Sequence, residues 1–72
     1  MVEIFKTNVN NKRLANKVLK TLRAEMPACI FNFDLDDCDR ILRAQSTGMP
    51  VEIDGIIGIV RGCCVEISLL GG

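Results

Sequence analysis

The apolar pattern of this chain predicts an α+β sandwich, a four-stranded antiparallel sheet with two helices on one face. Three observations carry that prediction. Stretches of period two occur at Val2–Thr7, Ala28–Leu35, Arg40–Gln45 and Val65–Leu69, and a period of two sends alternate side chains to opposite faces of a strand. Two stripes of helical period separate them: Leu14, Ala15, Val18, Leu19, Leu22 and Met26 after the first, and Ile53, Ile56, Ile57 and Val60 after the third. The length of 72 residues leaves room for one domain, spanning 1–72.

Composition narrows the function classes. Nearly half of the residues are apolar, enough for a packed core, although a chain this short buries only about 60% of its unfolded surface. Nine basic and nine acidic residues cancel, which argues against a dedicated nucleic-acid binder. No apolar run approaches the ~18 residues of a membrane span, and Met1-Val2-Glu3-Ile4 lacks the basic and apolar regions of a signal peptide. The expected location is the cytoplasm, where Cys29, Cys38, Cys63 and Cys64 are thiols. The neighbouring pair Cys63-Cys64 is in any case poorly disposed for a disulfide.

The first strand should run from Val2 to Thr7, with Val2 and Ile4 in the core and Phe5 on the opposite face. Asn8-Val9-Asn10-Asn11 breaks the alternation, and its asparagines suit a turn and a helix cap. The first helix should span about Asn11 to Glu25, with Val9 stapled back onto it. Its polar face carries Lys12, Arg13, Lys17, Lys20 and Arg23 against the single acid Glu25, a solvated face or a surface for an anionic partner. Pro27 ends it by driving the preceding residue out of helical geometry.

The second strand, Ala28 to Leu35, places Cys29, Phe31, Phe33 and Leu35 on one face. Asp36-Asp37-Cys38-Asp39 is a turn, and Arg40 to Gln45 returns with Leu42 and Ala44 on one face and Ile41 and Arg43 on the other. Ser46–Pro50 is a loop, and Pro50 suits the first position of a second helix with Glu52 in its first turn. Gly55 and Gly58 count against that helix, at about 1 kcal/mol each relative to Ala, but the stripe has helical period. Gly62 is expected as its C-terminal cap. Val65, Ile67 and Leu69 form the last strand, and Gly71-Gly72 should fray. The predicted core is Val2, Ile4, Leu14, Val18, Leu22, Phe31, Phe33, Leu42, Ile53, Ile56, Ile57, Val60, Val65 and Ile67.

Strand, helix, strand, strand, helix, strand in this length implies a ferredoxin-like arrangement. The topology brings Asn8–Asn11, the Asp36–Asp39 tip and Gly62–Cys64 to one pole, so Cys38 approaches Cys63 and Cys64, while Cys29 lies at the other. Parity with Val65 turns Cys63 towards the helices and Cys64 towards the open side. Phe5, Ile30, Ile41 and Leu70 are expected on the uncovered sheet face, where a cluster of them would form a partner surface.

The element order, together with Ile4-Phe5-Lys6-Thr7-Asn8-Val9, Asn32-Phe33-Asp34-Leu35-Asp36-Asp37-Cys38-Asp39 and Ile41-Leu42-Arg43, resembles the heavy-metal-associated domains, and more closely their small stand-alone bacterial relatives. The resemblance covers nearly the whole chain and is weakest in the Gly-rich second helix. It implies a small non-enzymatic domain with the fold of the metal carriers. The metal-carrying members hold Cu(I) or another soft ion with a Cys-x-x-Cys between the first strand and first helix. This chain has Asn8-Val9-Asn10-Asn11-Lys12-Arg13 there, so those ligands do not transfer.

Two readings follow. In the first, Cys38, Cys63 and Cys64 bind copper or zinc, thiolates being the ligands that select Cu(I) or Zn(II), with Asp37 or Asp39 adding an oxygen for zinc. In the second, the chain is an interaction or regulatory module without metal, a monomer or weak homodimer that uses Phe5, Ile30 and Ile41. The absence of His removes imidazole-based catalysis. The aspartate cluster lacks the spacing and glycine of a calcium loop, and Phe5 with no basic sheet face is a poor RNA platform.

Overall fold

The structure is a computed structural model that describes residues 1–70. The order of elements is β1 (Val2–Thr7), α1 (Lys12–Glu25), β2 (Ile30–Asp34), β3 (Ile41–Gln45), α2 (Ile53–Gly62) and β4 (Ile67–Leu69). The strands form one antiparallel sheet in the order β2-β3-β1-β4. This is the α+β arrangement that the periodicity predicts, compatible with a ferredoxin-like fold. Among the described residues, no helix is long and apolar enough to cross a membrane. The Gly71-Gly72 end expected to fray lies outside the described residues.

Local chemistry sets the helix boundaries. The Asn11 side chain accepts the Leu14 amide at 2.8 Å, satisfying one of the free donors of the first turn of α1. At the other end Met26, held before Pro27, leaves helical geometry at φ −132°. α2 is a regular helix despite its glycines, because Ile56 and Val60 are fully buried and supply the packing that propensity withholds. It begins three residues after Pro50, with Glu52 at the cap position and no side-chain cap bond. Gly62 is its last residue rather than the cap beyond it. The cap is Cys63, and the left-handed residue is Cys64, at φ 62°.

The strands are shorter than the alternation suggests, for identifiable reasons. Arg40 has φ 49°, a left-handed conformation that no strand continues through, so β3 starts at Ile41. Its five residues limit the ladder to β2, from Ile30↔Gln45 to Asp34↔Ile41. The β1–β4 ladder ends at Thr7↔Ile67. Beyond it, Asn8 and Glu66 continue the pairing with a side chain in place of one carbonyl. The Asn8 amide donates to Glu66 O at 3.3 Å, and the Glu66 amide donates to Asn8 Oδ1 at 3.0 Å.

Register inverts the expected faces of β1. Phe5 lies opposite Leu42 on one side and Leu69 on the other, and Phe31 lies opposite Ala44. These side chains point at the helices, and Phe5 is 0% exposed. Val2 and Ile4 take the open face, and Val2 is 48% exposed. The apolar neighbours Ile4 and Phe5 fit either phase of the alternation. The cross-strand partners decide between them, since a one-residue slip would move the whole set. Thr7 can share the inner face because its hydroxyl donates to Arg40 O at 2.6 Å and accepts the Val9 amide at 3.2 Å.

The rest of the core follows from that phase. Val18, Leu22, Phe31, Leu42, Ile56, Val60, Val65 and Ile67 are buried as expected. Leu14, Phe33, Ile53 and Ile57 pack around them, half-buried. Val9, Ala15, Ala44 and Val51 complete the interior. Val9 is fully buried, as a staple between the end of β1 and α1 must be.

Candidate functional site

The pole predicted from topology exists. The Thr7 amide donates to Asp39 O at 3.2 Å, tying the hairpin tip to the end of β1. Asn8 in turn holds Glu66, at the entrance to β4. The β1–α1 connection thus sits between the acidic tip and the chain leaving α2.

The tip is a wound turn. Asp34 Oδ1 accepts the Asp36 amide at 3.2 Å and Asp37 Oδ1 accepts the Asp39 amide at 2.8 Å, two Asx-type bonds in succession. The Arg40 amide closes back on Asp37 O at 3.0 Å, and the Arg40 guanidinium donates to Leu35 O at 3.0 Å. Outside the turn, Lys6 pairs with Asp39 at 3.6 Å. This frame brings one donor atom from each of Asp37, Cys38 and Asp39 to within 4.8 Å of one another.

The four cysteines are free, and among the described residues no group of three or more donors contains two of them. Cys38 is exposed at the tip, and neither Cys63 nor Cys64 joins its group of donors. Half-buried Cys63 lies in a groove against α1, beside Lys17, Thr21 and Glu25. Exposed Cys64 lines a shallow groove of about 550 Å³ that includes Lys6, Thr7, Asn8 and Arg61. Cys63 and Cys64 line different grooves, but both precede β4, Cys63 as the cap of α2 and Cys64 as a left-handed residue, so the strand-parity expectation does not apply to them. Cys29 lies at the far pole, where its amide donates to Met26 O.

The segment Asn8–Arg13, where the family resemblance would put a Cys-x-x-Cys, holds a helix cap instead. Asn11 is committed to Leu14, and Asn8 to Glu66. These residues offer no soft ligand, so the family's metal group does not fit there.

The expected sheet-face patch also changes. Phe5 belongs to the core. Ile41 is on the open face, between Lys6 and Asp34 on its rung, yet only 6% exposed. Ile30 is 60% exposed and Leu70 42%. Val2 and Ile30 both oppose Gln45, so the exposed apolar side chains of this face lie towards the end away from the tip.

Sequence reasoning missed Lys6 and the Asn8–Glu66 clamp. The expected phase of β1, with Val2 and Ile4 inward, would have turned Lys6 inward as well, and its partner depends on the register with β3. Asn8 and Glu66 are separated by 58 positions, and no local pattern announces such a pair. A comparison with known protein families, characterised proteins and solved structures finds no match for this chain.

Proposed function

We propose that the chain is a small non-enzymatic binding domain of the heavy-metal-associated type whose hairpin tip takes a divalent cation, zinc, through Asp37, Cys38 and Asp39. The observation that carries this reading is the approach of the three donors within 4.8 Å, on a turn held by its own backbone bonds. One thiolate with two carboxylates suits Zn(II), which accepts sulfur and oxygen together. Cu(I) favours all-sulfur sites, and the dispersed cysteines do not supply one. In this reading Cys63 and Cys64 are not ligands.

Zinc titration of the reduced protein against a chromophoric chelator tests the proposal. Cys38→Ser and Asp37→Asn should each weaken binding, and Cys63→Ser/Cys64→Ser should leave it unchanged. Equal affinity in the wild type and Cys38→Ser would sink the tip site. Affinity lost only in Cys63→Ser/Cys64→Ser would move the site to the end of α2.

A second reading, an interaction module using the open sheet face, is favoured by the exposure of Val2, Ile30 and Leu70 on that face. It predicts association that is insensitive to salt and lost in Ile30→Lys.

A further inference from the structure

Charge is segregated in this molecule although it sums to zero. α1 carries five of the nine cations and one carboxylate, Glu25. Residues 34–39 carry four of the nine carboxylates and no cation. Arg13, Lys17 and Lys20 are exposed and follow one another at i, i+4 and i+7, a stripe about 10 Å long on the solvent side of the helix.

Among the described residues the helix patch makes no ion pair within the chain, and the tip patch makes one, through Asp39. Among the described residues the one ion pair is Lys6–Asp39, and it uses no residue of α1. The stripe also works against its own helix. Like charges at i, i+3 and i, i+4 repel, and the first turn of α1 has no acid while Lys12 and Arg13 stand at its positive end. An anionic partner along the stripe would relieve both effects.

We infer that the Arg13–Lys17–Lys20 stripe of one copy docks the acidic tip of a second copy. Charge complementarity favours this occupant. Asp34 at the end of β2 and Asp36 and Asp37 in the turn are exposed and make no ion pair among the described residues, and their charge is opposite in sign to the excess on the helix. Zero net charge removes the long-range repulsion that keeps most proteins apart. A long polyanion is a poorer fit: Asp34 and Asp36 share a groove with Lys12 and Asn16 at the start of α1, so a nucleic-acid backbone running along the helix would meet carboxylates. Zinc bound at Asp37 and Asp39 would offset the charge of the tip, so the contact is tested with a chelator present.

Sedimentation of the whole chain measures the contact. Association should be seen in about 0.01 M salt, where screening reaches about 30 Å, and be lost in about 1 M salt, where it reaches about 3 Å. Lys17→Glu/Lys20→Glu and Asp34→Lys/Asp36→Lys should each weaken it by roughly tenfold or more, since every reversal turns an attraction into a repulsion. The four substitutions together should restore it. Glu52→Lys/Asp54→Lys changes net charge as much as the tip variant does and should leave association closer to wild type. A wild type that stays monomeric at low salt overturns the inference, and so do failed restoration by the fourfold swap and equal weakening by the Glu52/Asp54 control. Far-UV circular dichroism identifies any variant that fails to fold, and a wild type whose association does not weaken with salt overturns the inference without variants.

Discussion

Gly58→Ala should stabilise the domain by about 1 kcal/mol, the difference in helix propensity between the two residues. Gly58 is exposed in the interior of α2, and a Cβ built there meets nothing within 4 Å. The gain is therefore free of any packing penalty. It is a sizeable share of the ~4–11 kcal/mol expected for a chain of this length, and it should raise the melting temperature by about 4–8 °C. Gly55 in the same helix is the internal comparison. A Cβ there would lie 2.7 Å from Met26 Cε, so the methionine tip must swing aside, and Gly55→Ala should gain less than Gly58→Ala. Urea unfolding followed by far-UV circular dichroism reads both values, with an unchanged slope showing that only stability has moved. A Gly58→Ala variant no more stable than wild type would refute the reasoning, because it would mean that residue 58 is not an open helical position. Equal gains at both sites would refute the close approach of Met26.

Three other substitutions probe where the sequence pattern and the structure differ. Phe5→Ala should cost about 3–5 kcal/mol, as for a fully buried aromatic, and should come close to unfolding the protein, whereas Val2→Ala should cost under about 1 kcal/mol; the reverse order, read by chemical denaturation, would restore the opposite phase of β1. Cys64→Gly should stabilise by about 0.5–1 kcal/mol, because a left-handed non-glycine residue costs about 1–2 kcal/mol and glycine returns part of that gain through its freer unfolded chain. A loss of stability in that variant would show that the exposed thiol makes a contact that outweighs the backbone strain.

The fold was legible because its signals are local. Asn11 before an apolar stripe, Pro27 after it, and the aspartate-rich turn between two alternating runs each act within a few residues of themselves. The stripe Ile53, Ile56, Ile57 and Val60 even outweighed three glycines, since burial rewards the period of the apolar face more than propensity penalises a small residue. Errors of extent arose where one backbone angle overrides a pattern. Arg40 and Cys64 both adopt left-handed conformations that their side chains do not advertise, and a glycine at position 62 drew the cap one residue early.

The candidate site was legible only in part. Asp37, Cys38 and Asp39 are sequence neighbours in a turn, so their proximity needed no tertiary information. Their separation from Cys63 and Cys64 did. The topology brings the two segments to one pole, but a pole is many ångströms wide, and Cys63 and Cys64, in the turn that ends α2, line different grooves.

By itself, the sequence determined the order and kinds of elements, the cap of α1, the acidic turn and the uneven spread of charge, all properties of short segments. The tertiary structure alone decided which face of β1 is buried, that Lys6 answers Asp39, and that Asn8 holds Glu66. Those choices depend on register between strands far apart in the chain. Ile4 and Phe5 are equally apolar, and only the partners across the sheet, Leu42 and Leu69, select the one that faces the core.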